Sequence, residues 1–327
     1  MKDLIKILRP YVLLVQETKM EEQAFLQAVP SFWFNAQCIT VSSRGVLGGL
    51  ATLWDPSKVE IVSFVTSSHW IFIEIFLKDA NLRLSLFNAY VPIALSEKQF
   101  CWTNLNEHMT TSHLDNFVIA GDLNLTLSSE EKRGGNIVRD PAREWVEDII
   151  SNWDLEDIKP IRGKYNWTNK RLGLGHIAAR LDRFLVQQSL HVQGFDLTSA
   201  ILSFSTSYHK PIALSLIKDQ NLGPIPFRFN PAWIPMEGFQ DIVATAWKTN
   251  IRGSAFYVWE EKLRIMKKAL KDWAKLHKSP LKQRMEAEKA LEDHHFSNEG
   301  SLDQASLDKE VSLHNKLHEA CRLEENY

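Results

Sequence analysis

Apolar positions along the chain form short strand-like runs in the first two thirds and helical stripes in the last third. Leu4, Ile5 and Leu8 recur at helical spacing until Arg9-Pro10 ends the pattern, and Tyr11-Val12-Leu13-Leu14-Val15 follows as an unbroken apolar run. A short helix feeding a buried strand is predicted. Four more runs, 50–54, 59–65, 70–77 and 82–90, are separated by Gly48-Gly49, Asp55-Pro56, Ser67-Ser68 and Asp79-Ala80-Asn81. In the third, Ile71, Ile73 and Ile75 alternate with Phe72, Glu74 and Phe76, so one face is buried and the other is partly polar. These runs predict a mostly antiparallel sheet.

Helical character returns over 96–115, with Ser96 at the start and Glu97 and Lys98 in the first turn, and 117–120 is another buried strand. A helix is expected over 141–153, with Pro141 at its first position and Trp145, Ile149 and Trp153 on one face. Strands are expected near 165–168, 180–186 and 211–217. Strands in clusters with interspersed helices predict an α+β fold in which two sheets pack face to face under covering helices. Composition changes at 219–226. Beyond it the chain is charged and helical, and Trp259, Leu263, Met266, Leu270 and Trp273 form a heptad-like stripe. A second helix is expected after Gly300, with Ser301 and Gln304 as a capping box and Leu307, Val311 and Leu317 packing it back on the first. The expected organisation is a domain over 1–218, a connector over 219–253 and a helical hairpin over 254–327.

With 327 residues and 44% apolar composition the chain can bury a large core, and its net charge of −2 argues against a constitutive nucleic-acid coat protein. Apolar stretches fall far short of the roughly 20 residues of a membrane span, so no membrane association is expected. The N-terminus mixes charged with apolar residues and lacks the core of a signal peptide, which predicts a cytoplasmic or nuclear protein that is not secreted. Cys38, Cys101 and Cys321 lie far apart without metal-type pairing, as suits a reducing compartment.

Four polar signatures sit at or near strand-like runs: Gln16-Glu17, Gly121-Asp122-Leu123-Asn124, Arg180-Leu181-Asp182-Arg183 and Ser207-Tyr208-His209. Glu17 offers a carboxylate to a hard cation, which takes few protein ligands and keeps water and phosphate oxygens. Alternation puts Asp122 and Asn124 on one side of their strand, where they supply a group to activate water and a donor to fix a phosphate. Asp182 is the carboxylate that would hold the tautomer of His209. Tyr90 closes the run ending in Asn88-Ala89-Tyr90 and can donate to a phosphate oxygen. Basic loops, Lys132-Arg133-Gly134-Gly135 and Lys164, Lys170 and Arg171, suit phosphate-backbone contacts or simply solvated charge. Walker, dinucleotide-binding, serine-elbow and Cys/His zinc templates are absent, so no small-molecule cofactor is expected.

In this order the signatures resemble the endonuclease/exonuclease/phosphatase superfamily over about residues 3–217. Gln16-Glu17-Thr18-Lys19, Gly48-Gly49-Leu50-Ala51 with Trp54, Asn88-Ala89-Tyr90-Val91-Pro92, the Asp122 and Asn124 segment and Ala179-Arg180-Leu181-Asp182-Arg183-Phe184 resemble more closely the endonuclease domain of plant non-LTR (LINE-type) retrotransposon polyproteins. Pro226-Phe227-Arg228-Phe229 and the Trp-rich stretch after it resemble the connector before the reverse transcriptase of those polyproteins, whose motifs this chain does not reach.

The resemblance implies a four-layer α/β sandwich and a Mg²⁺-dependent (or Mn²⁺-dependent) DNA endonuclease. Glu17 would bind the metal, Tyr90 and Asn124 would hold the phosphate, Asp122 would align or activate water, and Asp182 would orient His209. Three departures from the family pattern predict impaired catalysis and weak DNA binding. An opening strand ending in Trp-Asn is expected to be missing, Ser-Asp-His becomes Ser207-Tyr208-His209, and Thr-Trp becomes Asn166-Trp167. The alternatives are a non-catalytic remnant that binds nucleic acid or protein, and a phosphatase of the same superfamily.

Overall fold

The computed structural model describes residues 1–43, 48–112, 115–136, 139–202, 207–218, 233–234, 237–276, 280–297 and 303–325. Its contacts divide it into two compact units, Met1–Asp219 with Glu292–Asp308, and Gln220–Leu291 with Lys309–Tyr327. In the first unit the elements run α1 (Lys2–Leu8), β1 (Val12–Gln16), α2 (Glu22–Phe32), β2 (Gln37–Val41), β3 (Leu50–Trp54), β4 (Val59–Thr66), β5 (Trp70–Leu77), β6 (Leu82–Tyr90), α3 (Leu95–Ser112) and β7 (Phe117–Asp122). They continue with β8 (Lys132–Arg133), α4 (Arg143–Asn152), β9 (Leu155–Asp157), β10 (Trp167–Thr168), β11 (Ala178–Ala179), β12 (Asp182–Gln187), α5 (Ser189–Val192), β13 (Phe195–Ile201) and β14 (Ile212–Lys218). Pro141 lies in the turn before α4, where Asp140 accepts from the Ala142 amide at 2.9 Å, and not at the first helical position the spacing predicts.

A six-stranded sheet in the order β4-β5-β6-β7-β12-β9 is antiparallel except where β6 and β7 run parallel, joined by the crossover helix α3. Its inner strands, β5, β6, β7 and β12, are largely apolar on both faces because two cores sandwich them, while the edge strand β4 is mostly exposed. Ile71, Ile73, Ile75, Val118 and Ala120 point into one core, while Phe72, Phe87, Phe117 and Ile119 point into the other with Trp102 and Leu105 of α3 and Val146 and Ile149 of α4. The first core is closed by Val12 and Leu14 of β1, Leu50 and Trp54 of β3, and Ile212, Leu214 and Leu216 of β14. On the outer side of the β1-β3-β2 sheet, Leu13, Val15, Ala51 and Leu53 meet Phe25 and Val29 of α2. The result is the expected α/β/β/α layering, and it explains the unbroken apolar run before Glu17: β1 lies between a sheet and a helix.

Behind the β7–β12 pair sits a buried ionic quartet. Arg183 reaches Glu131 at 2.5 and 2.9 Å and Asp157 at 2.9 Å; Arg180 reaches Asp157 at 2.6 Å through each terminal nitrogen and Glu131 at 3.0 Å. Burial pushes the Glu131 carboxyl up, but the arginines and the Leu127 amide outweigh it and hold it at about 2. The quartet ties β9 and the β8 strand-start loop to the ends of the segment that carries Asp182.

In the second unit α6 (Phe239–Lys248) packs with α7 (Ala255–Leu276) through Phe239, Leu270 and Trp273, with Trp233 and Met266 at the rim. The expected stripe is thus real at its C-terminal end, whereas Trp259 is half exposed. Two further helices, α8 (Pro280–Ser297) and α9 (Gln304–Glu325), follow where one partner helix was expected. The buried face of α9 is Leu313, Leu317 and Ala320, and Val311 points to solvent. Ser301 and the connector motif at 226–229 lie outside the described residues. No helix among the described residues is long and apolar enough to cross a membrane.

Replacing Arg183 by Met leaves Glu131 and Asp157 buried with one cation fewer, and a loss of about 3–5 kcal/mol in urea unfolding at pH 7 is expected. Because the folded Glu131 carboxyl sits near 2, below its ordinary 4.5, its contribution is complete above about pH 4.5 and fades as pH falls toward 2. The wild-type protein should therefore lose stability through that window, and the Arg183→Met protein should lose less.

Candidate active site

The signatures converge where strand ends meet. Glu17 follows β1 in the left-handed region (φ 52°), as does Lys19 (φ 52°). That loop is pinned by the Thr18 and Lys19 amides, which donate to Gly49 and Gly48 at 3.2 and 3.1 Å. Gly49 is needed here, since at φ 87° a Cβ would collide with Thr18 Oγ1. Beneath it Gln16 donates to Asn88 Oδ1 at 2.6 Å, and the buried Asn88 amide donates to Ala51 O and Thr52 Oγ1. Asn88 thereby joins β6 to the β1-β3 pair.

Register decides the rest. Tyr90 at the end of β6 is level with Asp122 at the end of β7, and Asp182 at the start of β12 stands directly opposite Asp122. Gly121, at φ 135°, admits no side chain because a Cβ would strike Ala89 O. Tyr90 Oη donates to Glu17 Oε1 at 2.5 Å, and Lys19 pairs with the other Glu17 oxygen at 3.1 Å. His209 Nδ1 lies 2.9 Å from Asp182 Oδ2, and its Nε2 lies 3.8 Å from Asp122 Oδ2. Asn124, left-handed at φ 46°, accepts nothing from these groups; its amide donates to Val91 O at 2.8 Å and to Asp122 Oδ2 at 3.2 Å, and its backbone N–H donates to Asp122 Oδ1 at 3.0 Å. All six expected residues are therefore in one place, with Asn124 engaged as the group that fixes Asp122.

Electrostatics follow from the packing. Burial pushes the Asp122 carboxyl up, and the Asp182 charge across the strand pair adds to it, to about 7. Burial opposes protonation of His209, but Asp182 and Asp122 outweigh it and raise its pKa. Burial also raises the Glu17 carboxyl, yet Tyr90 and Lys19 hold it below its ordinary value. Tyr90 is itself pushed upward by burial and by Glu17.

Donor atoms of Asp122, Asp182 and His209 lie within 4.8 Å of one another. Since His209 Nδ1 is engaged with Asp182, the donors open to a cation are mainly carboxylate oxygens, whereas Glu17, whose two oxygens take Tyr90 Oη and the Lys19 ammonium, is not part of this cluster. Such an oxygen set fits a hard divalent cation.

Three supports were not legible as such. Asn166, almost fully buried, accepts from the Leu181 and Asp182 amides at 2.9 and 3.2 Å, donates to Asp182 O at 2.7 Å, and accepts from Lys210 N at 2.6 Å through its backbone carbonyl. It fastens Asp182 to the segment carrying His209, and its position before Trp167 was the only signal. Lys98 of α3, buried, donates to Asn124 O at 2.8 Å and Asp140 at 2.6 Å. Glu131 and Asp157 of the quartet had no motif. Of the basic loop residues, Lys132 donates to Asn136 O and Lys170 lies over the Tyr208 ring.

The family described as the Endonuclease/Exonuclease/phosphatase family matches residues 1–209. Among solved structures, AP endonuclease LMAP from Leishmania major is 16% identical with a TM-score of 0.51, covering 64% of this chain and 79% of that one. The 3′ phosphatase NExo from Neisseria, bound to a product DNA hairpin, is 15% identical with a TM-score of 0.51, covering 66% and 92%. The endonuclease domain of TRAS1, a telomere-specific non-LTR retrotransposon, is 9% identical with a TM-score of 0.49, covering 64% and 100%, a likeness too slight to carry weight. No curated protein matches. At these identities the structural likeness establishes the fold.

Asp122 keeps its proton up to about 7 in the fold and loses it near 3.8 when free, so its ionisation opposes folding, by nothing below pH 3.8 and fully above about 7. Asp122→Asn should thus stabilise the cation-free protein by on the order of 1–3 kcal/mol at pH 8 and leave it unchanged near pH 4. Urea unfolding in EDTA at the two pH values measures the difference.

Proposed function

Because the chain belongs to the endonuclease/exonuclease/phosphatase family, we propose that it is a divalent-cation-dependent phosphodiesterase that nicks DNA, of the non-LTR retroelement type. The observation that carries this reading is the assembly of Asp122, Asp182 and His209 at the ends of β7, β12 and the segment before β14, with Glu17 and Tyr90 beside them. The retroelement assignment rests on the motif spelling around Glu17, Tyr90, Asp122 and Asp182.

Hydrolysis replaces a P–O bond to the leaving deoxyribose oxygen by one to the oxygen of water, so it needs a proton acceptor, charge compensation on phosphate and orientation. Asp122, with a pKa brought near neutrality, is suited to accept the proton of the attacking water. Asn124 keeps its carboxylate aimed. His209, whose charged form Asp182 favours, presents Nε2 as a donor to a phosphate oxygen, and the Asp182 bond to Nδ1 fixes the ring. Tyr90, whose hydroxyl donates to Glu17 in the free protein, would turn that donor to a phosphate oxygen once Glu17 binds a cation. Mg²⁺ or Mn²⁺ held by Glu17 and the neighbouring carboxylates would neutralise charge gathering on the phosphate. Tyr208 leaves the site one carboxylate short of the family pattern, and slow turnover with weak DNA binding is the consequence.

Purified protein should nick supercoiled plasmid slowly in Mg²⁺ or Mn²⁺ and not in EDTA, and His209→Ala should cut the rate by about 10²–10⁴-fold. Equal nicking by wild type, His209→Ala and Glu17→Gln would sink the assignment, because such activity would owe nothing to this site.

A further inference from the structure

We infer that Tyr208 is a stacking platform for an unpaired nucleobase next to the phosphate bound at His209, so that the protein selects DNA carrying an extrahelical or frayed base. The inference rests on the DNA reading above and assigns a role to Tyr208, which replaces the carboxylate of the family pattern.

Backbone geometry sets the ring's direction. The segment of Tyr208, His209 and Lys210 is paired to Asn166, Trp167 and Thr168: His209 bridges Trp167, Thr168 N donates to Tyr208 O at 3.0 Å, and Lys210 N donates to Asn166 O at 2.6 Å. His209 turns inward to Asp182 and Asp122, while Tyr208, in the bend just before it, faces solvent and is 58% exposed. Lys170 Nζ lies 5.5 Å from the centre of the ring. Lys170 is itself set by a left-handed backbone at φ 53° and by donation from its amide to Thr168 Oγ1 at 3.2 Å. An aromatic face and an ammonium are thus presented together from a fastened backbone, one residue from the imidazole.

A nucleotide matches that pair of groups. The face of a base stacks on the ring and a flanking phosphate meets the ammonium. Single exposed aromatics are ordinary on protein surfaces, but this one is placed by the same strand pairing that aims His209. In an intact duplex both faces of each base are already stacked, which leaves the ring without a ligand. A base that has left the stack satisfies it.

The test measures anisotropy of a labelled duplex with one central extrahelical adenine, and of the same duplex without it, for the wild type, Tyr208→Ala and Tyr208→Phe. The wild type should prefer the bulged duplex. Tyr208→Ala should weaken binding to the bulged duplex by about 5- to 150-fold and leave the intact duplex alone, whereas Tyr208→Phe should retain the preference. Thermal melting of the variants verifies that this exposed substitution spares the fold. Equal affinity of wild type for both duplexes, or an undiminished preference in Tyr208→Ala, overturns the inference while the nuclease reading stands. Failure of the wild type to bind either duplex removes both.

Discussion

Two carboxylates, Asp122 and Asp182, stand across from one another on neighbouring strands in a place where both are buried. Like charges so placed repel, and the surrounding structure reads as a set of devices that hold them there. The register that opposes them is enforced by the apolar residues behind: Phe184 faces Ala120 and Val186 faces Val118 in one core, and Leu185 faces Ile119 in the other. A slip of one residue would send Asp182 to the opposite face of the sheet and Phe184 and Leu185 into the wrong cores. Packing energy spread over two cores thus pays for an electrostatic arrangement of two side chains.

Charge compensation is supplied on two sides. In front, His209 bonds Asp182 and approaches Asp122. Behind, Arg180 and Arg183 flank Asp182 in sequence yet turn away from it to Glu131 and Asp157. The arginines therefore brace the segment without pairing with Asp182. Asn166 completes the brace by holding both backbone polar groups of Asp182. A site of this kind is less stable than a neutral one, the usual relation between binding sites and the folds that carry them.

Glu17 illustrates how distant elements meet there. It arrives on β1, whose two apolar faces are spent against different layers, and its left-handed backbone is pinned by Gly48 and Gly49 before β3. Asn88 links that sheet to β6, so Tyr90 can bond Glu17 although the two lie 73 positions apart. The carboxylate of Glu17 is thus positioned by one sheet and its hydroxyl partner by the other.

The sequence by itself showed most strands of the large sheet, several of the helices and the polar residues that gather at the candidate site, but gave no reading of α2, β2, β9 or β13. The alternation of Ile71, Ile73 and Ile75, the unbroken run before Glu17 and the Asp122 and Asn124 pair each record a local rule, that of side-chain periodicity along an extended chain. The helices past Ala255 were legible as helical but not in number, because α8, unlike α7, carries no clear apolar stripe to mark it as a separate helix. Tertiary structure alone decided that Arg180 and Arg183 serve Glu131 and Asp157, that Asn124 spends its amide on Val91 and Asp122, that Asn166 clamps Asp182, and that Tyr208 faces outward. Those outcomes depend on strand register and on partners tens of residues away, and charge pairing between buried groups follows proximity in the fold, which no local pattern along the chain encodes.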